Sequence, residues 1–151
     1  MDDEEVLTGG LFPVIDVPEE TEEEEEYDTE YRRSMKWDYR AGDFVRNGAN
    51  QVLECDGHEA FALWCYKVAQ TERGRCLAYP EDIGTEMEAA LENDEAETVE
   101  SMVERTITEA LEVNPRTEYV RDFEFGWDGD NMHVRFKVKG VDWDDEILIT
   151  F

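Results

Sequence analysis

Basic residues are scarce in this chain: its 151 residues include 14 Lys and Arg against 41 Asp and Glu, which gives a net charge of −27. Residues 1–31 hold 14 of these acids and no base, so about half of the excess charge lies in a fifth of the chain. Such a charge repels the phosphates of nucleic acids and anionic membrane surfaces. We therefore expect neither nucleic acid nor a membrane as a partner, and an acidic inhibitor that mimics nucleic acid is kept as an alternative.

Long hydrophobic runs and paired cysteines are also missing. No apolar run reaches the roughly 20 residues needed to cross a bilayer, and the N-terminus is acidic where a secretory signal would be basic. The three cysteines, Cys55, Cys65 and Cys76, match neither CxxC nor any zinc spacing. Cys65 falls on the apolar side of a predicted helix, where we expect it to be buried. These absences indicate a reduced protein, made inside the cell, with no metal and no cofactor.

The chain has no recognisable catalytic motif. Neither GxGxxG nor GxxxxGK occurs, and His58 and His133 have no Ser or Cys nucleophile beside them. Two carboxylates can cleave a glycosidic bond, and Glu72 and Glu109 are the best pair because each lies near a helix end and an arginine. Nothing distinguishes them among 41 acids. We predict no catalytic site and keep a peptidoglycan hydrolase as the alternative function.

An extended acidic arm is predicted for residues 1–34, ahead of a domain over residues 35–151. An apolar island bounded by prolines lies inside the arm, and the prolines favour an extended chain over a helix. The acidic run 19–30 repels itself and should not fold alone. A tail that only solubilises needs no apolar island, so we predict that the island docks onto a neighbouring chain. Its candidate contact residues are Leu11, Phe12, Val14 and Ile15.

Two amphipathic helices are predicted inside the domain. The first covers about residues 57–71, with Asp56 as N-cap, Glu59 as its capping partner and Gly74 as a left-handed end. Its apolar face carries Phe61, Trp64, Cys65 and Val68 at helical spacing. The second covers about residues 96–113. Its apolar face carries Val99, Met102, Val103, Ile107, Ala110 and Leu111. A weaker helical stretch covers residues 85–92.

Strands surround these helices. Short strands are predicted within residues 35–54, with Asn47-Gly48 as a hairpin signal. Three strands follow the second helix, and the turn at 128–131 lacks the later Glu of a calcium loop, so we interpret it as a hairpin turn. The last strand offers Ile147, Leu148 and Ile149, which could close their own sheet or add to the sheet of another chain. The pattern predicts an α+β fold: a small antiparallel or mixed sheet with two main helices packed on it.

An arginine follows each main helix at a corner. Pro115 removes a backbone donor and moves Asn114 out of the helical region, so the second helix must end there. Arg116 then lies on a short stiff corner, where its planar fork of donors suits a carboxylate or a row of carbonyls. A plain helix stop with a solvated Arg explains the same residues. Glu72 and Arg73 form the other corner, for which a C-terminal helix cap is the simpler interpretation.

Taken in order, these motifs resemble a known family. TERGR at 71–75, YPEDIG at 79–84, a helix, ITEAL at 107–111 and NPR at 114–116 are similar to the baseplate wedge and sheath-initiator family of contractile tails, once classed as lysozymes. The resemblance is to the version in phages of Gram-positive hosts and PBSX-type prophages, and it covers residues 35–151. The family has Glu-Pro-Arg where this chain has Asn114-Pro115-Arg116.

The resemblance implies a structural, non-enzymatic protein of the virion tail baseplate, assembled in the host cytoplasm and present as several copies in a ring. It implies that Pro115 and Arg116, with Asn114, Glu72 and Arg73 beside them, dock the domain onto baseplate wedge proteins. It also implies that the sheet starts the tail sheath by pairing with arms of the first ring of sheath subunits. Tube or hub proteins are further candidate partners.

Overall fold

A computed structural model of the chain describes residues 32–151, so the arm candidates Leu11, Phe12, Val14 and Ile15 lie outside the described residues. Helices and antiparallel strands pack together in the described part, which confirms the α+β class. The elements in chain order are β1 (Ser34–Met35), β2 (Trp37–Asp38), β3 (Asp43–Phe44), β4 (Glu54–Cys55), α1 (Gly57–Ala69), α2 (Met87–Leu91), α3 (Ala96–Glu112), β5 (Thr117–Asp128), β6 (Asn131–Gly140) and β7 (Glu146–Thr150). Ser34, predicted to end the arm, already belongs to β1.

Both main helices form where the apolar periodicity predicts them. α1 buries Phe61, Cys65 and Val68, and α3 buries its predicted apolar face around Val103 and Ile107. Cys65 is fully buried as predicted, and burial raises the pKa of its thiol. Full burial of a large apolar side chain such as Phe61 or Ile107 contributes about 1.5–3 kcal/mol to the free energy of unfolding. The weaker helical stretch is present as the short α2.

The ends of α1 differ from the prediction. Asp56 is the N-cap, but its side chain makes no capping hydrogen bond with the described residues. The predicted capping box is therefore wrong, and Glu59 instead pairs with Lys36 at 3.0 Å. Gly74 is left-handed, with a φ of 74°, but it lies beyond Gln70, which is the C-cap. It shapes the following loop and does not end the helix.

The three long strands form one antiparallel sheet in the order β5-β6-β7. In the register of the sheet, Val138 of β6 lies between Val120 of β5 and Ile147 of β7. A tight turn with Gly129 at a φ of 62° joins β5 to β6, as the hairpin interpretation predicts. A bulge after Arg121 interrupts β5. Such a bulge bends the strand and strengthens its twist.

α1 and α3 cover one face of this sheet and form the core with it. Phe61, Ile107, Leu111 and Phe136 are among the largest fully buried side chains. Phe136 stacks on Phe123 with ring centroids 5.0 Å apart. The opposite face of the sheet carries charged side chains and is described with the candidate site.

The short strands form a small layer at the start of α1. β1 pairs with β4 and β2 pairs with β3, both antiparallel. Trp37 packs here against Cys55, Ala60 and Leu63. The predicted hairpin at Asn47-Gly48 is present as a bridge between Arg46 and Val52, but the left-handed non-glycine residue of its loop is Asn50.

Candidate functional site

The corner after α1 is built by contacts within the chain. The amide of Arg73 donates to the carbonyl of Thr85, and the amide of Thr85 donates to the carbonyl of Thr71, both at 2.8 Å. Thr85 is fully buried, and its hydroxyl lies 3.4 Å from the carbonyl oxygens of Ala69 and Thr71. We call residues 71–75 and 83–88 the clasp, because the two segments hold each other.

Glu72 and Arg73 use their side chains inside the clasp. The guanidinium of Arg73 donates to the carbonyl of Gly84 at 3.2 and 3.3 Å and pairs with Glu86 at 3.2 Å. The carboxylate of Glu72 accepts a hydrogen bond at 3.2 Å from the amide of Glu88, in the first turn of α2. An acid is favoured at this end of a helix by the helix dipole. Arg73 therefore holds the clasp and does not cap α1, and any effect of the pair on a partner would act through the shape of the clasp.

Gly84 makes the close approach of the two clasp segments possible. Its φ is +110°, and a Cβ atom there would lie 2.6 Å from the carbonyl oxygen of Thr71. Only glycine adopts this conformation at this distance without strain. TERGR and YPEDIG are thus two halves of one tertiary unit, a connection that the sequence reasoning missed. The glycine that ends YPEDIG is the signal that could have indicated it.

The corner after α3 is fixed by its own backbone. The amide of Arg116 donates to Oδ1 of Asn114 at 3.0 Å, which is an Asx turn. The hydroxyl of Thr117 donates to the carbonyl of Leu111 at 2.7 Å, and the amide of Val141 donates to the carbonyl of Arg116 at 2.8 Å. An Asx turn needs the short side chain of Asn or Asp. Asn114 therefore stiffens the corner in a way that the longer side chain of Glu would not.

Arg116 lies in a groove of about 320 Å³ beside α1. We call it the basic groove, because its lining includes Arg32, Arg33, Lys67 and Arg116. Ser34 and Asn114 also line it, and α1 adds four apolar residues to its wall, namely Ala60, Phe61, Leu63 and Trp64. No clasp residue lines this groove. Among the described residues, the two arginine corners therefore belong to separate surfaces.

β7 lies at one edge of the sheet, and within residues 32–151 its strand partner is β6 alone. Phe151, directly after β7, exchanges both backbone hydrogen bonds with Val134, at 2.9 and 3.1 Å. In an antiparallel ladder alternate residues direct their backbone groups to the same side. The backbone groups of Glu146, Leu148 and Thr150 therefore point away from β6.

A second groove, of about 280 Å³, runs along this outer edge. We call it the edge groove; residues 147–150 line it together with Tyr39, Ala62 and Tyr66, and no β6 residue does. The rings of Tyr39 and Tyr66 meet edge to face, with centroids 4.6 Å apart. Burial raises the pKa of Tyr39 to about 12, so its phenol stays neutral near pH 7.

The three candidate residues of β7 have different positions. Ile147 and Ile149 are buried in the core, with 8% and 4% exposure, whereas Leu148 is 58% exposed. The two isoleucine side chains thus hold the strand on its own sheet. What β7 can offer a partner is its outward backbone ladder and the side chain of Leu148.

The outer face of the sheet is covered by ion pairs between its strands, one of which spans β6 from β5 to β7. They join Glu118 to Lys139, Asp122 to Lys137, Glu124 to Arg135, and Arg121 to Glu146. Arg121 and the hydroxyl of Tyr119 hold the pKa of Glu146 below its usual range, and Lys137 does the same for Asp122. Solvent-accessible ion pairs of this kind each contribute little to the free energy of unfolding. The face is balanced in charge and makes a poor docking surface for an anion.

The residues considered for catalysis do not meet in a groove. Glu72 is bound to the start of α2, and Glu109 pairs with Arg105 on α3 at 2.8 Å. Neither lines the basic groove or the edge groove. His58 packs against Trp143 with centroids 5.1 Å apart, and His133 is exposed on β6.

Across residues 32–151, His, Cys, Asp and Glu form no group that could hold a metal ion. No helix in this range is long and apolar enough to span a bilayer.

Comparisons with known proteins give a consistent result. A family model described as contractile injection system sheath initiator matches residues 33–142. The chain is also 35% identical over 85 residues to the phage-like element PBSX protein XkdS of Bacillus subtilis (strain 168). This similarity covers 55% of the chain and 60% of that protein, so less than two thirds of the relative is represented. The family match includes the clasp and the Asn114 corner and ends before β7.

Proposed function

Because the chain belongs to the contractile injection system sheath initiator family, we propose that it joins the baseplate wedge to the tube and nucleates the tail sheath. Family membership makes it a structural component of a phage tail or a related contractile particle. Two separate surfaces support the finer proposal: the edge of β7 and the corner at Arg116. Several copies in a ring around the tube would present both surfaces repeatedly.

The edge of β7 is proposed to receive an extended arm of a sheath subunit as a further strand. The observation that carries this proposal is the outward backbone ladder of Glu146, Leu148 and Thr150 beside an apolar groove. Each new backbone hydrogen bond contributes about 0.5–1.5 kcal/mol. Tyr39 and Tyr66 form the wall against which an apolar side chain of the incoming strand would pack.

A proline at position 148 tests the strand proposal. The amide of Leu148 points away from β6, so Leu148→Pro removes an outward donor and keeps the ladder to β6 intact. We expect baseplates and tubes to assemble with this variant while sheath polymerisation stalls, as seen by electron microscopy of particles. Leu148→Ala, which loses the side chain but keeps the amide, is the matched control and should polymerise sheath far better than Leu148→Pro. Full-length sheaths on correctly folded Leu148→Pro protein would refute the strand assignment.

Arg116 and Pro115 are proposed to dock the domain onto a wedge protein. The Asx turn at Asn114 holds the backbone of this corner in one conformation, which favours a directed contact by the arginine fork. Arg116→Ala should reduce co-purification with wedge proteins. Arg105→Ala, which removes an exposed α3 arginine paired only with Glu109 among the described residues, is the control. Unchanged co-purification of the Arg116 variant would remove the corner from the proposal.

Two further assignments complete the proposed function. The apolar island of the arm is proposed to bind a neighbouring chain in the baseplate, with tube or hub proteins as candidates beside the wedge and sheath. The chain is also proposed to lack hydrolase activity, because Glu72 and Glu109 each have a structural partner. A zymogram on purified cell walls checks this. Clearing by the native chain that is abolished in Glu72→Gln would favour the alternative function, a peptidoglycan hydrolase.

A further inference from the structure

The basic groove concentrates positive charge in a strongly acidic chain. Nine of the 14 Lys and Arg form ion pairs with described residues. Arg32 and Lys67 form none within residues 32–151, and both line this groove. Two cations with no carboxylate on the folded domain, next to Arg33 and Arg116, favour an acidic ligand.

The wall of the groove adds an aromatic preference. The rings of Phe61 and Trp64 lie 6.2 Å apart and within 9° of parallel. Both line the groove beside Ala60 and Leu63. Trp64 is the partly exposed member of this set, whereas Phe61, Ala60 and Leu63 are buried. An indole ring below a basic rim suits a peptide that alternates carboxylates with aromatic side chains.

A segment with this chemistry lies directly before the groove in the same chain. Residues 19–31 contain nine acids and two tyrosines, Tyr27 and Tyr31, and the next residue is Arg32 of the groove lining. The groove follows α1 from Ala60 to Lys67, which is about 10 Å at 1.5 Å per residue. About four extended residues cover that distance. Asp28 and Glu30 are therefore within reach.

We propose that the basic groove binds residues 19–31 of its own chain, with Asp28 and Glu30 against Lys67 and Arg116 and a tyrosine against Trp64. The covalent link gives the segment an effective concentration on the order of millimolar, far above that of a separate peptide. The acidic run is then an intramolecular ligand and not only a tether. Because the groove contains Arg116, the segment competes with the wedge for it, a consequence that rests on the proposed function.

Zero-length carbodiimide cross-linking of the full chain tests the contact. The reagent joins a lysine to a carboxylate that touches it, so Lys67 should cross-link to acids within 19–30. Lys137 and Asp122, at 2.9 Å, are the internal positive control. Mixing nitrogen-15-labelled and unlabelled protein shows whether the contact lies within one chain. Binding in cis predicts that both peptides of every cross-link carry the same isotope. Mixed-isotope cross-links, or a Lys67 that cross-links to no residue of 19–30, would overturn the proposal.

A charge-neutral variant tests the contact independently by NMR. Asp28→Asn with Glu30→Gln should shift the amide signals of Ala60 and Lys67 in the direction that added salt shifts them in the native chain, because salt screens the same attraction. Asp2→Asn with Glu4→Gln makes the same charge change far from the groove and should leave these signals in place. Equal effects of the two variants would contradict docking of residues 28–30.

Wedge binding separates this inference from the proposed function. Neutralising Asp28 and Glu30 should raise the affinity for wedge protein several-fold, since a competing internal ligand lowers the population of the binding-competent state. Unchanged affinity together with the expected cross-links would overturn the competition alone. Loss of wedge binding in Arg116→Ala is measured separately and does not depend on the cross-link.

Discussion

At Gly84 and Asn114 single residues determine the shape of the two corners. Gly84 passes close to Thr71 in a left-handed conformation, and Asn114 accepts the amide of Arg116. The first requires the absence of a side chain and the second requires a short polar one. Both requirements concern the backbone, so neither depends on a partner protein.

Substitution of Gly84 should be costly for stability. We expect Gly84→Ala to lower the free energy of unfolding by more than about 2 kcal/mol, because the new Cβ adds a clash to an unfavourable φ. Gly42→Ala, at a φ of +65° with no atom within 4 Å, carries the conformational cost alone and should lose about 1 kcal/mol. Urea denaturation measures both. Equal losses would show that the contact with Thr71 adds nothing.

Among the elements, α2 depends most on its surroundings. Its five residues are too few for a stable isolated helix. The carboxylate of Glu72 accepts a hydrogen bond from the amide of Glu88 in the first turn of α2. The amide of Glu86, just before α2, donates to the hydroxyl of Thr106 on α3 at 2.7 Å. The clasp is therefore the reason that this segment is helical.

Removal of Arg73 should loosen α2 selectively. Arg73→Ala deletes the hydrogen bonds to the carbonyl of Gly84, a loss of about 1–2 kcal/mol for a charged donor that is partly exposed. We expect faster hydrogen exchange at the amides of α2 with little change in β6. Arg105→Ala is the control, because Arg105 is 74% exposed and pairs only with Glu109 of its own helix among the described residues. Similar exchange in both variants would contradict the clasp.

The ion pairs on the outer face of the sheet predict an acid dependence. Arg121 lowers the pKa of Glu146 from its ordinary value of 4.5, so the contribution of this carboxylate to stability is present above about pH 4.5 and is lost as pH falls through the lowered value. The free energy of unfolding of Glu146→Gln, measured with urea, should therefore fall less between pH 5 and pH 3 than that of the native chain. Glu104→Gln, at an exposed α3 position without an ion pair in the described range, should show the same fall as the native chain.

Sequence reasoning recovered the elements better than their contacts. The apolar faces of α1 and α3 and the turn at Gly129 are local patterns, so they could be predicted. The bonds of Arg73 to Gly84 and of Glu72 to Glu88 join residues 11 and 16 positions apart, and no periodicity encodes such pairs. The same limit applies to Ile147 and Ile149, because only the sheet order shows which side chains of β7 face the core.

For the whole molecule, charge acts together with the outer edge of β7, which no strand covers within residues 32–151. An uncovered edge strand can pair with a second copy. The net charge of −27 opposes such contacts by repulsion between copies. The acidic excess therefore opposes the pairing of β7 with a second copy of the chain in the absence of another strand partner.

Screening this repulsion should promote self-association. At neutral pH and about 1 M salt, where charges are screened beyond about 3 Å, we expect the native chain to form dimers or larger species in sedimentation velocity. Leu148→Pro should stay monomeric under the same conditions, whereas Leu148→Ala, which keeps the outward amide, should still associate. Association of all three proteins alike would place the contact away from β7.

The clasp has a practical consequence for imaging. The clasp holds residues 71–75 against residues 83–88. The segment between them, around the fully exposed Leu77, is therefore a loop whose length has little effect on the stability of the fold. Doubling such a loop costs only about 0.6 kcal/mol. A small tag inserted beside Leu77 would mark this subunit in electron micrographs of whole tails, with its grooves and its strand edge unaltered.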